Sequence, residues 1–229
     1  MNNVQKLIEV NQALIKEKLV IFTWGNASFR TSSNTIYIKP SGVPFKDLTE
    51  EKMSEVDLDT KMHLSGHKPS VDTPTHIELY NNFSDINAII HTHSKYCTIF
   101  AQAKKSIPCL GTTHADYFYG DVPVVGELSD QEIEKNYEEN TGAKIVDYFL
   151  INDIAPLQIP AALSPSHGVF AWGHDLNHAI KNAIVLENIA EMAYKTLILC
   201  YNGDVDFDCK LLDKHFLRKH GNNKYYGQQ

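Results

Sequence analysis

The chain has little cysteine: Cys97, Cys109, Cys200 and Cys209 are widely spaced among its 229 residues and form no C-x-x-C pair. That spacing argues against a disulfide framework and for reduced thiols in a cytosol. Runs of Lys and Arg are also missing, and 21 basic against 28 acidic residues leave a formal charge of −7. General affinity for nucleic acid or an anionic membrane is thereby disfavoured, although a few local donors suffice for a small phosphorylated molecule. Long apolar runs are absent too. The opening stretch MNNVQKLIEVNQALIKEKLV is broken by Lys, Glu, Gln or Asn every few residues, and nothing later reaches a membrane-spanning length. With no Pro/Gly/Ser-rich linker, repeat or low-complexity tract, residues 1–229 read as a single domain of a soluble cytoplasmic protein, large enough to bury roughly 70% of its extended surface.

What is present is patterned. Val4, Leu7, Ile8, Leu14 and Ile15 recur at helical spacing and predict an opening amphipathic helix. Leu19 to Thr23 reads as a strand stopping at the turn Gly25-Asn26, and Thr35 to Lys39 as a second stopping at Pro40-Ser41-Gly42. Pro74 suits the first turn of a short helix capped by Asp72 or Thr73. Ile86 to His93 predicts a strand, with Ser94 placed to cap the helix leaving it. Ser129 and Glu132 have capping-box spacing, and a long helix is expected from beside Asp175 to Leu197. Strands and helices mix without a strict βαβ rhythm, which predicts a mixed or antiparallel sheet covered by helices.

The most informative chemistry is His91-Thr92-His93, at the end of the apolar run Ala88-Ile89-Ile90. Residues i and i+2 of a strand face the same way, so two imidazoles can converge on one cation. A catalytic zinc site usually needs a third protein ligand. Ser166-His167-Gly168, between Pro165 and Val169-Phe170, offers His167. Asp72 is a candidate fourth ligand or acid/base, and equally a plain helix cap. Two familiar His-x-His patterns do not fit. A metallo-β-lactamase continues with Asp-His, and a cupin with Glu, where this chain has Tyr96-Cys97.

Taken together, the segments resemble the class II sugar-phosphate aldolase/epimerase family, and within it the pentulose-phosphate 4-epimerases. The resemblance runs nearly end to end. It is carried by Thr23-Trp24-Gly25-Asn26, Ile38-Lys39-Pro40-Ser41-Gly42-Val43, Lys68 to His76, His91-Thr92-His93-Ser94 and Gly111 to Gly120. Ser166 to Gly173 and the tail from Leu211 through Tyr226-Gly227-Gln228 complete it. The resemblance implies a three-layer α/β/α single domain around a mostly antiparallel sheet. It implies His91, His93 and His167 as zinc ligands, with Asp72 as a fourth ligand or nearby carboxylate, and with manganese or cobalt as substitutes. Gly25, Asn26, Ser41, Gly42, Ser70 and Val71 match substrate- and phosphate-binding loops, and Lys39 adds a cation. Asp116 and Tyr226 match the acid/base pair, Tyr226 serving a neighbouring subunit of a homotetramer. One departure stands out: the epimerases usually read Ser-Ser-Asp where this chain has Ser70-Val71-Asp72.

The activity implied is epimerisation at C4 of L-ribulose 5-phosphate, giving D-xylulose 5-phosphate. C4 is not adjacent to the C2 ketone, so direct proton removal there is difficult. The C4 hydroxyl is β to that ketone, and its deprotonation lets C3–C4 break as a retro-aldol while a divalent metal acts as Lewis acid. The aldehyde half rotates and re-adds through its other face, which calls for acid/base groups on both sides. A family aldolase acting on L-fuculose 1-phosphate or a related sugar phosphate is the alternative. Those aldolases characteristically carry Glu where this chain has the shorter Asp72.

Overall fold

The computed structural model describes residues 3–201 and 205–226, so Gly227 and Gln228 of the tail motif lie outside the described residues. Seven strands form one sheet in the order β4-β3-β2-β1-β5-β7-β6. They are β1 (Asn26–Arg30), β2 (Thr35–Ile38), β3 (Ser54–Asp57), β4 (His63–Ser65), β5 (Ala88–Thr92), β6 (Ala161–Ser164) and β7 (Gly168–Gly173). Every pair of neighbours is antiparallel. The helices are α1 (Asn3–Lys16), α2 (Thr73–Asn82), α3 (Lys95–Gln102), α4 (Thr112–Ala115), α5 (Asp130–Glu134), α6 (Tyr137–Ile151), α7 (Leu176–Leu199) and α8 (Cys209–His220).

Register and alternation sort the two faces. Ser28 pairs with Ile89, and Asn26 with His91, which pairs in turn with Phe170. These side chains share the face covered by α2 and α6: Ser28 Oγ meets His76 and Tyr80 of α2 at 2.7 and 2.8 Å. Trp172 packs there on Phe83 and on Phe149 of α6. The other face carries Ala27, Ile90, Ala171 and Gly173, and α1, α3 and α7 lie over it. The three layers close over one continuous apolar core.

Three local expectations are corrected. Residues 19–23 are not a strand; the ladder starts later, at Asn26. Lys18 takes a left-handed φ of 59° and the Leu19 N–H donates to Leu14 O at 2.9 Å, so this backbone closes α1. Leu19 and Val20 plug the core while Phe22 is 76% exposed. Asp72 occupies the cap position of α2 without a capping bond. Ser94 likewise fails to cap α3 with its side chain, because Glu187 of α7 reaches over and accepts the N–H groups of Tyr96 and Cys97 at 2.9 and 3.1 Å. The expected Ser129–Glu132 capping box and the Asp175 cap are both present.

Candidate active site

At one end of the sheet, β5 and the β6–β7 turn bring three imidazoles together. His91 is the penultimate residue of β5, which is buried throughout, His93 follows one residue beyond the strand, and His167 sits in the turn before β7. The ring centroids lie 4.8–4.9 Å apart. One ligand nitrogen from each ring falls within 4.8 Å of the others. Gly168 permits this crowding: a Cβ there would sit 2.6 Å from Thr92 O and 3.1 Å from His93 Cδ2. Gly25 does the same from β1's side, with φ +81° and a virtual Cβ 2.7 Å from His91 O.

The donor set fits a zinc-like ion. His91 Nε2 and His93 Nε2 stand 3.1 Å apart, close to the roughly 3.3 Å between nitrogens that each sit about 2.0–2.1 Å from a tetrahedral ion. His91 Nδ1 donates to Val169 O at 3.0 Å, leaving Nε2 for the ion. Burial pushes the His91 imidazole down to about 3 against the opposing charge of Asp72, and burial lowers His93 and His167 as well. All three therefore favour the neutral state that ligates metals.

These histidines form one wall of a cavity of about 370 Å³. The remaining walls are Thr23 to Asn26, Lys39 to Gly42 and Ser70 to Asp72, so every substrate- and metal-site residue expected from sequence lines it, and the expected acid/base pair Asp116 and Tyr226 does not. Asp72, half-buried, accepts from Asn26 Nδ2 at 2.7 Å and from Ser70 Oγ at 3.3 Å. The neighbouring histidines hold its carboxyl below the usual range despite burial. It lies outside the group of three mutually close ligand atoms. Lys39 is 2% exposed, with Nζ 3.3 Å from the carbonyls of Thr23 and Pro40. Burial lowers its ammonium to about 8, with Asp72 pulling the other way. Ser41 spends its N–H on Lys68 O at 2.9 Å, so its contribution to a ligand is through its hydroxyl. Asn26 Oδ1 is buried and has no hydrogen-bond partner among the described residues. Trp24, which sequence reasoning left without a role, leans on His93 at 6.5 Å.

Asp116 and Tyr226 line no part of this cavity. They meet each other instead, through α8. Asp116 ends α4, and its carboxylate accepts from Arg218 at 3.0 and 3.1 Å. Lys219 and His215 approach it at 3.0 and 3.1 Å. The Tyr226 ring lies 4.5 Å from the Arg218 guanidinium carbon and 4.7 Å from Lys219 Nζ. The tail is tied down by the Tyr225 and Tyr226 N–H groups, which both donate to Arg218 O. Sequence reasoning missed these three basic partners; the only signal was their spacing on a basic helical face.

Known proteins resemble this chain along nearly its whole length. Residues 5–194 match the family described as the class II aldolase and adducin N-terminal domain. The chain is 42% identical to the L-ribulose-5-phosphate 4-epimerase UlaF of Salmonella paratyphi C (strain RKS4594), over 98% of both chains. The same identity and coverage hold for UlaF of Salmonella choleraesuis (strain SC-B67). Among solved structures, an L-fuculose 1-phosphate aldolase superposes with a TM-score of 0.76 at 24% identity, covering 93% of this chain and 94% of that one. YgbL from Escherichia coli, a putative aldolase/epimerase/decarboxylase, gives 0.70 at 21% identity over 92% and 96%. These two show the shared fold. The family match, the near full-length identity and the histidine-walled cavity lead to one conclusion: the chain belongs to the class II aldolase family.

Proposed function

We propose that this protein epimerises L-ribulose 5-phosphate at C4 to D-xylulose 5-phosphate, by breaking and re-forming the C3–C4 bond. The observation that carries the reading is the cavity itself. Three neutral imidazoles form one wall, and the Gly25-Asn26, Ser41-Gly42 and Ser70-Val71 segments with the Lys39 ammonium form the rest, in a chain 42% identical throughout to a 4-epimerase. Residues 1–229 act as one catalytic domain of a cytoplasmic enzyme.

His91, His93 and His167 would hold the divalent ion, with Asp72 as a fourth ligand or as the carboxylate beside it. When bound, zinc supplies Lewis-acid stabilisation of the charge that develops on the substrate's C2 and C3 oxygens. The loops anchor the phosphate, Lys39 balances its charge, and the anchor keeps the aldehyde half in place while its carbonyl turns. Asn26 Oδ1, without a partner among the described residues, is available to accept from a substrate hydroxyl. Asp116 and Tyr226 serve the cavity of a neighbouring copy in a homotetramer. Their separation from their own chain's cavity and their mutual linkage through Arg218 and Lys219 support that placement. Asp116, kept ionised by its basic neighbours, is in the state that takes a proton from the C4 hydroxyl or its epimer. Tyr226 serves the opposite face.

The test is incubation of the zinc-loaded protein with L-ribulose 5-phosphate, following D-xylulose 5-phosphate and free aldehyde in parallel. Xylulose phosphate without accumulating aldehyde is the expected result. Accumulating aldehyde would make the protein an aldolase, and no reaction would move the substrate to another sugar phosphate.

A further inference from the structure

Behind the Ser166-His167 turn, outside the cavity described above, the first residue of α6 touches a histidine of the metal site. Tyr137 Oη lies 3.3 Å from His167 Nδ1, with the rings 5.9 Å apart. Both sides of this contact are held in uncommon backbone conformations. Asn136, which precedes Tyr137, is left-handed at φ 57°, ψ 44°, and Ser166, which precedes His167, has φ 57°. Non-glycine residues adopt that region only where the surroundings fix them. The tyrosine's own element is fixed as well: Thr75 Oγ1 of α2 donates to Glu138 O at 2.5 Å, and α2 is the helix that Asp72 precedes.

The comparison with His91 gives the contact its meaning. His91 has its rear nitrogen on the Val169 carbonyl, which can only accept, so its tautomer is set and Nε2 faces the ion. His167 lies in a half-buried turn, and among the described residues its rear nitrogen meets a hydroxyl instead of a carbonyl. We propose that Tyr137 is a positioning residue of the metal centre: its oxygen accepts the His167 Nδ1–H, fixing the tautomer and ring orientation that present Nε2 to the ion. This rests on the reading of His91, His93 and His167 as ligands. Partners behind a ligating histidine commonly raise its basicity and restrict its ring, and their removal weakens metal binding about 10–100-fold.

The experiment measures zinc binding directly, by competition of the metal-free full-length protein against a chromogenic chelator, for wild type, Tyr137→Phe and His91→Asn. Cobalt-substituted samples are recorded in the visible region alongside. The expected result is a 10–100-fold weaker affinity in Tyr137→Phe, a shifted cobalt band, and an unchanged melting temperature for the metal-free form. Equal affinity and an equal cobalt spectrum in wild type and Tyr137→Phe, with binding abolished in His91→Asn, would overturn the positioning role alone. A metal-free Tyr137→Phe protein melting several degrees lower would also overturn it, making the contact structural. If wild type and His91→Asn bind zinc alike, the three-histidine reading itself fails.

Discussion

Around His91 the ionisable groups are held by the sheet. The His91 ring is stacked on Phe170 at 4.3 Å, tied to a strand carbonyl, and pushed by burial to a pKa of about 3. Around Asp116 they are held by one another: a carboxylate faces three basic side chains of α8, and an exposed tyrosine covers two of them. The first region is prebuilt, because strand register fixes its atoms whether or not anything binds. The second is an assembled surface patch whose long side chains take their positions from mutual charge. One chain thus carries a prebuilt histidine cluster and a separate charged cluster around Asp116; on the proposed reading the first holds the metal, the second supplies acid/base groups, and the two belong to different sites if copies of the chain share them.

The sharpest way to break that comparison is to disable each half in a different chain. His91→Asn alone should lose the metal and several kcal/mol of transition-state stabilisation, roughly 10³-fold or more in kcat/KM. Tyr226→Phe alone should keep the metal and lose about 10²–10⁴-fold in turnover. Unfolding and refolding the two inactive variants together should then recover about a quarter of wild-type activity, since that share of interfaces would pair an intact cavity with an intact tyrosine. Recovery of none, measured on metal-loaded mixed oligomers, would place both halves of a working site in one chain.

Lys39 tests the cavity half by pH. Its ammonium, depressed to about 8 by burial, is present below that pH and lost above it, while a sugar phosphate is already dianionic above its second pKa of about 6. KM should therefore rise as pH passes about 8, and Lys39→Met should show a roughly tenfold higher KM at pH 7 with no further rise. Unfolding would not mimic the effect. With the folded pKa below the usual lysine value, the unfolded chain binds the extra proton between the two, so this residue makes the fold more stable as pH rises. Initial rates from pH 6.5 to 9.5, read against a melting curve at each pH, separate the two.

Asp116 tests the other half by stability. Its three basic neighbours hold the carboxyl below the usual range, so the stabilisation is complete above the unfolded carboxylate pKa and is lost as pH falls through the folded one. Asp116→Asn should cost about 1–3 kcal/mol at pH 7, shrinking toward zero in strong acid, as urea titrations at both pH values would show. A pH-independent difference would assign the cost to packing instead.

The contrast between the regions also explains how much could be read beforehand. Two-residue alternation placed His91 and His93 on one face, and the flanking glycine marked His167 as a residue in a tight turn, because those constraints are local in the chain. The covering helices α1 and α7 announced themselves by apolar spacing. The strand β1 was misplaced because Lys18 turns left-handed to close α1, a tertiary demand that apolar content at residues 19–23 does not reveal. Tyr137 and Glu187 act across 30 and about 90 residues of sequence, and nothing local marks either as the partner of His167 or α3. The α8 partners of Asp116 lie about 100 residues away, where a basic helical face looks like any solvated surface.

The smallest expected effect lies at Val71, where the family resemblance departs. Ser70 beside it has no spare proton: its hydroxyl accepts from Asn26 at 3.0 Å and donates to Asp72 at 3.3 Å. Val71 is 59% exposed on the cavity wall, so a hydroxyl there would meet a bound phosphate without displacing any packed neighbour. One added hydrogen bond to a charged group is worth about 1–2 kcal/mol when unopposed, less once water competes. Val71→Ser should then lower KM for the sugar phosphate by roughly twofold to tenfold and leave kcat unchanged, because the phosphate stays anchored in ground and transition states alike. An unchanged KM in steady-state assays would mean that the turn's backbone N–H groups already saturate the phosphate. The valine would then be neutral because anchoring in this half of the molecule is a property of the main chain.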